Sequence, residues 1–340
     1  MLDFSYTRAR SADEARASVA AQQGTALLAG GTTLLDLAKC GVERPDSVID
    51  ISHLDGLSGI AVDGSGASIG ALAKMSAVAD HADIRDAFPA IALSLSLAAS
   101  QQLRNMATIG GNLLQRTRCP YFRDPATFPD CNKRNPGSGC AAIGGVTRNH
   151  AVLGTSSHCI ATYHGDLAVA LAAFDAVVQT DRRDIAIDAF FLTPDDRPDR
   201  ETVLEKAEMI TGITIPASIA ARQSTYLKVR DRQSYEFAAA SAAIGLDLED
   251  DGVTIRDLRV ALGGIATKPW RARSIEAGLI GRAITPEIVT SASRLAVEGA
   301  VSQGGNHYKI ELAPRVVARA ILTVAASLNP DLNPALGETA

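Results

Sequence analysis

Aromatic side chains are scarce in this 340-residue sequence, at 4% of the residues, although hydrophobic residues make up 46%. We therefore expect a core filled by small aliphatic side chains on closely packed helices and strands. No internal repeat or low-complexity tract is visible in the sequence. The length suggests two or three domains, since one domain has roughly 100–200 residues.

A basic excess and a long apolar run are also missing. The net charge of −5 argues against a general nucleic-acid binder, which normally carries a basic stripe. The longest apolar stretch, residues 161–176, is interrupted by His164, Asp166 and Asp175, so we expect no membrane span. The first residues lack the basic and apolar regions of a signal peptide, so we expect no export signal in the chain itself.

The cysteines are few but clustered. Four of the five fall within one 41-residue segment, at Cys119, Cys131, Cys140 and Cys159. Their spacing lacks the closely spaced pair that zinc modules usually contain. Irregularly spaced thiolates on one wrapping loop suit an iron–sulfur cluster, while zinc and structural or disulfide-bonded cysteines remain alternatives. Residues 116–158 show no helix or strand period, and a loop this long needs something to order it.

Basic residues and histidines accompany these cysteines. We expect five cations to offset the negative charge of a cluster: Arg116, Arg118, Arg123, Lys133 and Arg134. Three histidines are possible substitute ligands, although surface or packing roles are the simpler expectation: His150, His158 and His164. Cys40 lies on a short predicted helix, where a plain buried thiol is expected.

Two glycine pairs lie between apolar and helical segments. The first is in the stretch Leu27, Leu28, Ala29, Gly30, Gly31, Thr32, Thr33 and Leu34, and the second is in Thr108, Ile109, Gly110, Gly111 and Asn112. Glycine lets the backbone approach a ligand, and amides at a helix N-terminus bind phosphate. Neither stretch is a G-x-G-x-x-G fingerprint, and each alone could be an ordinary turn. Together they suit the two ends of a pyrophosphate-containing cofactor.

Two charged residues stand in regular elements. Asp166 opens a predicted helix, where the helix dipole stabilises a carboxylate and N-terminal capping is a sufficient role. Lys228 lies in a predicted strand and by its pattern could be a solvated residue. The patterns also predict a hairpin near residues 60–69 and helices at 234–241, 286–303 and 314–327.

These motifs, in this order, resemble the FAD-binding subunit of the xanthine dehydrogenase and molybdenum hydroxylase family. The matching segments are 29–32, 102–112, Asp166 ahead of 170–176, 226–230 and 260–272. Most members run almost directly from the second glycine motif to the aspartate helix. The insertion that carries the four cysteines resembles the branch whose flavin subunit holds an extra [4Fe–4S] cluster. That branch includes the bacterial periplasmic aldehyde oxidoreductases and, more distantly, 4-hydroxybenzoyl-CoA reductase.

The resemblance implies an α+β fold. Two N-terminal subdomains of the vanillyl-alcohol-oxidase (PCMH) type, at 1–57 and 58–220, would clasp FAD, and the second would contain the insertion 116–159. A C-terminal flavoprotein domain would follow at 221–330, with a tail at 331–340. Both glycine stretches would hold the pyrophosphate, Asp166 would bind the ribityl or ribose hydroxyls, and Lys228 would reach the flavin ring or its edge. The four cysteines of the insertion would hold the cluster.

The resemblance further implies an oxidoreductase subunit that relays electrons and has no substrate-oxidising residue of its own. Its partners would be a [2Fe–2S] subunit and a molybdenum-cofactor subunit that oxidises an aldehyde, and an external acceptor would take the electrons. A self-contained FAD oxidase and a zinc-stabilised binding module are the alternatives. We expect the periplasm, reached with a signal-bearing partner, or else the cytoplasm.

Overall fold

Three β-sheets, each drawn from a separate stretch of the chain, organise the computed structural model, which describes residues 1–332. The twelve strands are β1 (Ser5–Arg8), β2 (Thr25–Leu28), β3 (Ser47–Asp50), β4 (Ile60–Asp63), β5 (Gly66–Gly70), β6 (Val177–Thr180), β7 (Asp184–Ala186), β8 (Ile210–Pro216), β9 (Ser224–Val229), β10 (Ala240–Leu248), β11 (Ile255–Gly263) and β12 (Trp270–Arg271).

Helices connect and cover these sheets. The α-helices are α1 (Ala12–Ala21), α2 (Leu34–Lys39), α3 (Met75–Asp80), α4 (Ala82–Ala87), α5 (Pro89–Ser96), α6 (Gln101–Met106), α7 (Ile109–Leu113), α8 (Pro120–Arg123), α9 (Asp166–Ala173), α10 (Ile187–Phe190), α11 (Ile219–Arg222), α12 (Arg273–Leu279), α13 (Pro286–Ser293) and α14 (Tyr308–Leu328). Two 3₁₀ helices follow, at Arg294–Val297 and Pro330–Leu332.

The first sheet is a small parallel one with strand order β1-β3-β2. Helix α1 connects β1 to β2, and its N-terminus is capped by Ser11, whose hydroxyl accepts the amide of Glu14. Helix α2 connects β2 to β3, and two residues separate it from the first glycine pair. The first stretch of the chain is therefore the small α/β unit that the pattern predicts.

The second sheet has the order β4-β5-β8-β6-β7, with antiparallel pairing throughout. The predicted hairpin near residues 60–69 is confirmed as β4 and β5. Between β5 and β6 the chain forms helices α3 to α9 and the cysteine-bearing segment. Helix α9 is buried along its whole length, which its all-apolar run after Asp166 explains.

The third sheet, β12-β11-β10-β9, is antiparallel and packs against the long helix α14. Buried alanine, valine, leucine and isoleucine fill the contact between them, as the shortage of aromatic residues predicts. The mixed sheets and helices confirm the α+β class. The predicted domain boundaries stay a prediction, and residues 333–340 of the predicted tail lie outside the described residues.

Two predicted helices differ from the structure. Residues 234–241 form a loop and the start of β10, because pairing with β9 and β11 overrides the local helix preference of Ala238–Ala240. The predicted helix 286–303 ends at Ser293 and continues only as a 3₁₀ turn, followed by Gly299 with a positive φ of 74°. Within residues 1–332, no helix is long and apolar enough to cross a bilayer.

Candidate cofactor site

The first glycine pair forms an open turn between β2 and α2. Gly31 has a φ of +72°, and a Cβ on Gly30 would lie 2.2 Å from the carbonyl oxygen of Met106. Both glycines are therefore required, one for conformation and one for close packing. Over the four positions from Gly30 to Thr33, no backbone amide donates a hydrogen bond to another described residue. Unpaired amides ahead of a helix suit an anionic group.

The second glycine pair lies within helix α7. Thr108 caps this helix, and its hydroxyl accepts the Gly111 amide at 3.3 Å. The Gly110 amide donates to the carbonyl of Ala71 at 2.8 Å, which fixes the helix against β5. The packing of Gly30 on Met106 brings the first loop beside this helix. The two glycine pairs, 80 residues apart in the chain, thus meet at one site.

Two cavities open beside these motifs. One has a volume of about 280 Å³ and a mostly apolar lining that includes Leu27, Ile51, Leu72, Met209 and Ile210. The other has a volume of about 260 Å³ and reaches Asn112 and Asp166. Both cavities are lined by the same three residues of the glycine motifs: Thr32, Thr33 and Gly111. An elongated ligand could therefore place its middle at the glycine motifs and one end in each cavity.

The cavity at Asp166, which we call the polar cavity, contains three buried polar atoms without a hydrogen-bond partner in the described structure. They are Asn112 Oδ1, His164 Nδ1 and Arg118 Nε. Buried polar groups are nearly always paired, so these atoms indicate a polar ligand. Together with the open amides of the first loop, they fit FAD, which combines a pyrophosphate, hydroxyl groups and a polar ring system.

Asp166 belongs to a buried network. Its carboxylate accepts the Lys228 ammonium at 2.8 Å and the Tyr226 hydroxyl at 2.7 Å. Lys228 also donates to the carbonyl of Leu97, and Tyr226 pairs with the hydroxyl of Ser241. Burial raises the pKa of Asp166, and the Lys228 ammonium and Tyr226 hydroxyl oppose that rise. These hydrogen bonds fix the carboxylate at the cavity wall.

Most of the predicted cofactor residues line these cavities. The exceptions in the described structure are Leu28 and Lys228. Leu28 packs beside Gly31, while Lys228 supports Asp166 from behind. The predicted contact of Lys228 with the flavin ring stays a prediction. The polar cavity is also lined by Arg118, Met75 and Phe237. These residues come from distant segments of the chain, and no local pattern indicates a cofactor role for them.

The four cysteines of the insertion gather in one small core with Tyr121, Phe122 and Ile160. Cys119, Cys131 and Cys159 are buried and Cys140 is partly exposed, and all four are free thiols. Cys131 and Cys140 face each other across an isolated antiparallel bridge. Burial raises the pKa of Cys119 to about 12, and nearby Cys159 and Cys131 add to the rise. Grouped buried thiols are typical of sites that ionise on binding a metal.

No three or more His, Cys, Asp or Glu side chains of residues 1–332 converge closely enough to hold a single metal ion. Of the histidines, His150 lies against this group, with its Nε2 3.2 Å from Cys119 Sγ. His164 lies instead at the polar cavity, and His158 is partly exposed. Cys40 caps helix α2 and is partly exposed, so the predicted burial of this thiol is wrong.

The cations of the insertion brace it through ion pairs and hydrogen bonds, and their proposed role of offsetting cluster charge stays a prediction. Arg116 bridges Glu201 and Glu43 at 2.7 and 2.6 Å, and Lys133 also pairs with Glu201, at 2.8 Å. Of the five cations, Lys133 also acts on a cysteine, because its charge lowers the pKa of Cys159 against the effect of burial.

The remaining three cations also have partners within the described chain. Arg134 donates to backbone carbonyls, including those of Tyr121 and Phe122. Arg118 and Arg123 both pair with Asp36 of helix α2. The insertion is therefore fastened to the first unit and to the loop around Glu201 by ion pairs.

Comparisons with known proteins agree with this site. The FAD-binding domain of molybdopterin dehydrogenases matches residues 2–218, and the C-terminal domain of the CO dehydrogenase flavoprotein matches residues 225–324. The aldehyde oxidoreductase FAD-binding subunit PaoB of Escherichia coli is 41% identical, over 96% of this chain and 99% of that protein. The carbon monoxide dehydrogenase medium chain of Hydrogenophaga pseudoflava is 27% identical, over 94% and 96%.

A solved structure of the carbon monoxide dehydrogenase from H. pseudoflava, lacking the Mo-pyranopterin moiety, superimposes with a TM-score of 0.73 at 25% identity. The alignment covers 96% of this chain and 98% of that one. Three findings agree on the family of this chain: the two family domains in their order, the relative matched over its full length, and the cofactor motifs. The chain belongs to the family of FAD-binding subunits of molybdenum hydroxylases, which are oxidoreductases.

Proposed function

We propose that this chain is the electron-transfer subunit of a heterotrimeric molybdenum-dependent aldehyde oxidoreductase and holds both FAD and one [4Fe–4S] cluster. The observation that carries the proposal is the meeting of both glycine motifs beside a cavity with unpaired polar atoms, in a chain 41% identical to PaoB. FAD supplies a carrier that accepts electrons in pairs and passes them on. The chain's own task is to hold and tune it.

Residues of three segments would hold FAD. The open amides from Gly30 to Thr33 suit the pyrophosphate. Helix α7 would flank it, since the amides of Ile109 and Gly110 are already paired within the protein. Asp166, fixed by Lys228 and Tyr226, offers a carboxylate to hydroxyl groups. These contacts position the cofactor and keep its surroundings preorganised.

The cluster is proposed for Cys119, Cys131, Cys140 and Cys159. Four free thiols share one core, and burial raises the pKa of two of them, Cys119 and Cys159. A four-iron cluster binds each thiolate to a different iron atom, so its ligands need not converge on one point as zinc ligands do. A bound cluster would also order a segment in which α8 is the single regular helix of residues 116–158.

Partners and compartment complete the proposal. Electrons would arrive from a molybdenum-cofactor subunit through a [2Fe–2S] subunit and leave to an external acceptor. Two relatives are named as medium chains of a glyceraldehyde dehydrogenase and a carbon monoxide dehydrogenase, which supports a role beside other subunits. We propose the periplasm, reached together with a partner that carries the export signal.

The test is cofactor analysis of the purified full-length chain, with Cys159→Ser as the variant and Cys40→Ser as the matched control. We expect a flavin absorbance band, extractable FAD and about four irons per chain. Cys159→Ser should lose most of the iron and keep FAD, whereas Cys40→Ser should keep both. Cys40 is suitable because it lies outside the cysteine core.

Three other outcomes would each contradict a different part. A chain without flavin would overturn the proposed function. Flavin with zinc in place of iron would overturn the cluster alone. Steady aldehyde oxidation by the isolated chain would indicate a self-contained oxidase instead of a relay subunit.

A further inference from the structure

Arg118 reaches from the cysteine insertion into the polar cavity. It directly precedes Cys119, yet its side chain lines the cavity that contains Asp166 and Asn112. Its guanidinium donates to Asp36 at 2.8 Å and lies 5.1 Å above the ring of Phe237. Its Nε is buried and lacks a partner in the described structure. A donor is therefore held in place and left available to a ligand.

Arg118 also forms part of a partition. Together with His164 and Phe237, it lines a neighbouring cavity of about 240 Å³ that contains Cys119 and His150. The same side chain thus borders both the polar cavity and the cysteine core. Each of its two supports comes from another part of the chain, since Asp36 belongs to helix α2 and Phe237 to the loop before β10.

Among the charged groups that line the polar cavity, Arg118 carries the positive charge that is not fully balanced by a carboxylate. The cavity's carboxylates each have a cation, because Asp166 pairs with Lys228 and Glu236 pairs with Arg232. Asp36 must balance two guanidinium groups, those of Arg118 and Arg123. The site therefore favours an additional negative charge beside Arg118.

We propose that Arg118 binds the ring end of FAD in the polar cavity and stabilises its reduced, negatively charged form. The residue would raise the reduction potential of the cofactor and make the insertion part of the flavin site. Attraction between a guanidinium and a developing negative charge is strong where water is excluded. This inference rests on the proposed binding of FAD in this cavity and does not depend on the cluster.

The test compares Arg118→Gln, Arg118→Lys and Arg123→Gln with the natural full-length chain. Arg123 is a matched control, because it shares Asp36 and the same insertion but does not line the polar cavity. The flavin midpoint potential is measured by spectroelectrochemistry, FAD affinity by titration of the apoprotein, and iron content in parallel. Thermal unfolding shows whether each variant is folded.

We expect Arg118→Gln to bind reduced FAD about tenfold more weakly relative to oxidised FAD, which lowers the two-electron potential by about 30 mV. Arg118→Lys keeps the positive charge, so its flavin midpoint potential should stay close to that of the natural chain. Arg123→Gln should leave the flavin midpoint potential unchanged. Equal weakening for both redox states, or the same shift in Arg123→Gln, would overturn the inference. A natural chain without FAD would instead overturn the proposed function. If Arg118→Gln does not fold, Arg118→Met takes its place. A flavin potential about 30 mV below that of Arg123→Gln then supports the inference, and a potential equal to it overturns the inference.

Discussion

Removal of the Lys228 ammonium should destabilise the protein strongly, through the carboxylate left behind. The Asp166 and Lys228 side chains are 5% and 1% exposed, and their charged atoms lie 2.8 Å apart. Breaking a buried ion pair costs about 3–5 kcal/mol, because one charge stays buried without compensation. In Lys228→Met the carboxylate keeps its hydrogen bond from Tyr226. We therefore expect the lower end of the range, about 3 kcal/mol.

The pH dependence of the free energy of unfolding provides a second, independent test of this prediction. Burial raises the pKa of Asp166, so between its unfolded and folded pKa values the folded state binds more protons than the unfolded state. Stability therefore falls as pH rises through that window. Without Lys228 the pKa of Asp166 in the folded state rises further, so this window extends to higher pH. The loss of unfolding free energy in Lys228→Met should therefore be largest near pH 7.5 and smaller toward pH 5.

The assay is urea unfolding followed by circular dichroism at both pH values. Arg222→Met is the control, because the Arg222 and Asp86 side chains are 65% and 73% exposed and such pairs contribute at most about 1 kcal/mol. Adding Asp166→Asn to Lys228→Met should recover much of the loss by removing the buried charge. A deficit no larger than that of Arg222→Met, or one that grows toward pH 5, would refute the reasoning.

Two further predictions concern single positions. Gly30→Ala should weaken FAD binding at least about tenfold in an apoprotein titration, because its Cβ would displace the Met106 carbonyl. Gly59→Ala is the control and should bind FAD normally, since its Cβ would meet nothing within 4 Å. Equal FAD affinities of the two variants would contradict the packing argument. Burial lowers the pKa of Lys309 to about 7, so above pH 7 the folded state loses this proton while the unfolded state keeps it. The free energy of unfolding of the natural chain should therefore increase by at least about 1 kcal/mol between pH 7 and pH 9.5. Lys309→Met should lack that gain in the same urea assay, and an unchanged pH profile would exclude Lys309 as its source.

Much of the site could be predicted because local patterns encode its parts. The glycine turn ahead of α2 and the helix that begins at Asp166 both follow from neighbouring residues. Alternation in β9 places Tyr226 and Lys228 on one face of the strand, which the sequence also indicates. Their partner Asp166, about 60 residues away, depends on how the third sheet packs on α9, and no local pattern reports that.

The positions of charged side chains were the least predictable. The sequence does not indicate that Arg116 and Arg118 pair with carboxylates of distant segments, as they do in the structure. A buried guanidinium takes whichever carboxylate the tertiary structure brings near, and the sequence does not rank the candidates. The helix expected at 234–241 failed for a related reason, since strand pairing of Ser241 with Gly263 and Lys228 is a long-range effect.

The fastening of the cysteine insertion has a consequence for how the protein matures. Arg116 ties it to both N-terminal units, and the Thr147 hydroxyl donates to the carbonyl of Gln303 at 2.9 Å in the last domain. A single segment therefore connects all three parts of the chain, and its order depends on each of them. If the chain holds the proposed cluster, delivery of iron to the cysteines is easiest before these contacts close. A chain folded without iron would then have to open locally before it could acquire iron, so the timing of iron supply during synthesis would determine the yield of complete protein.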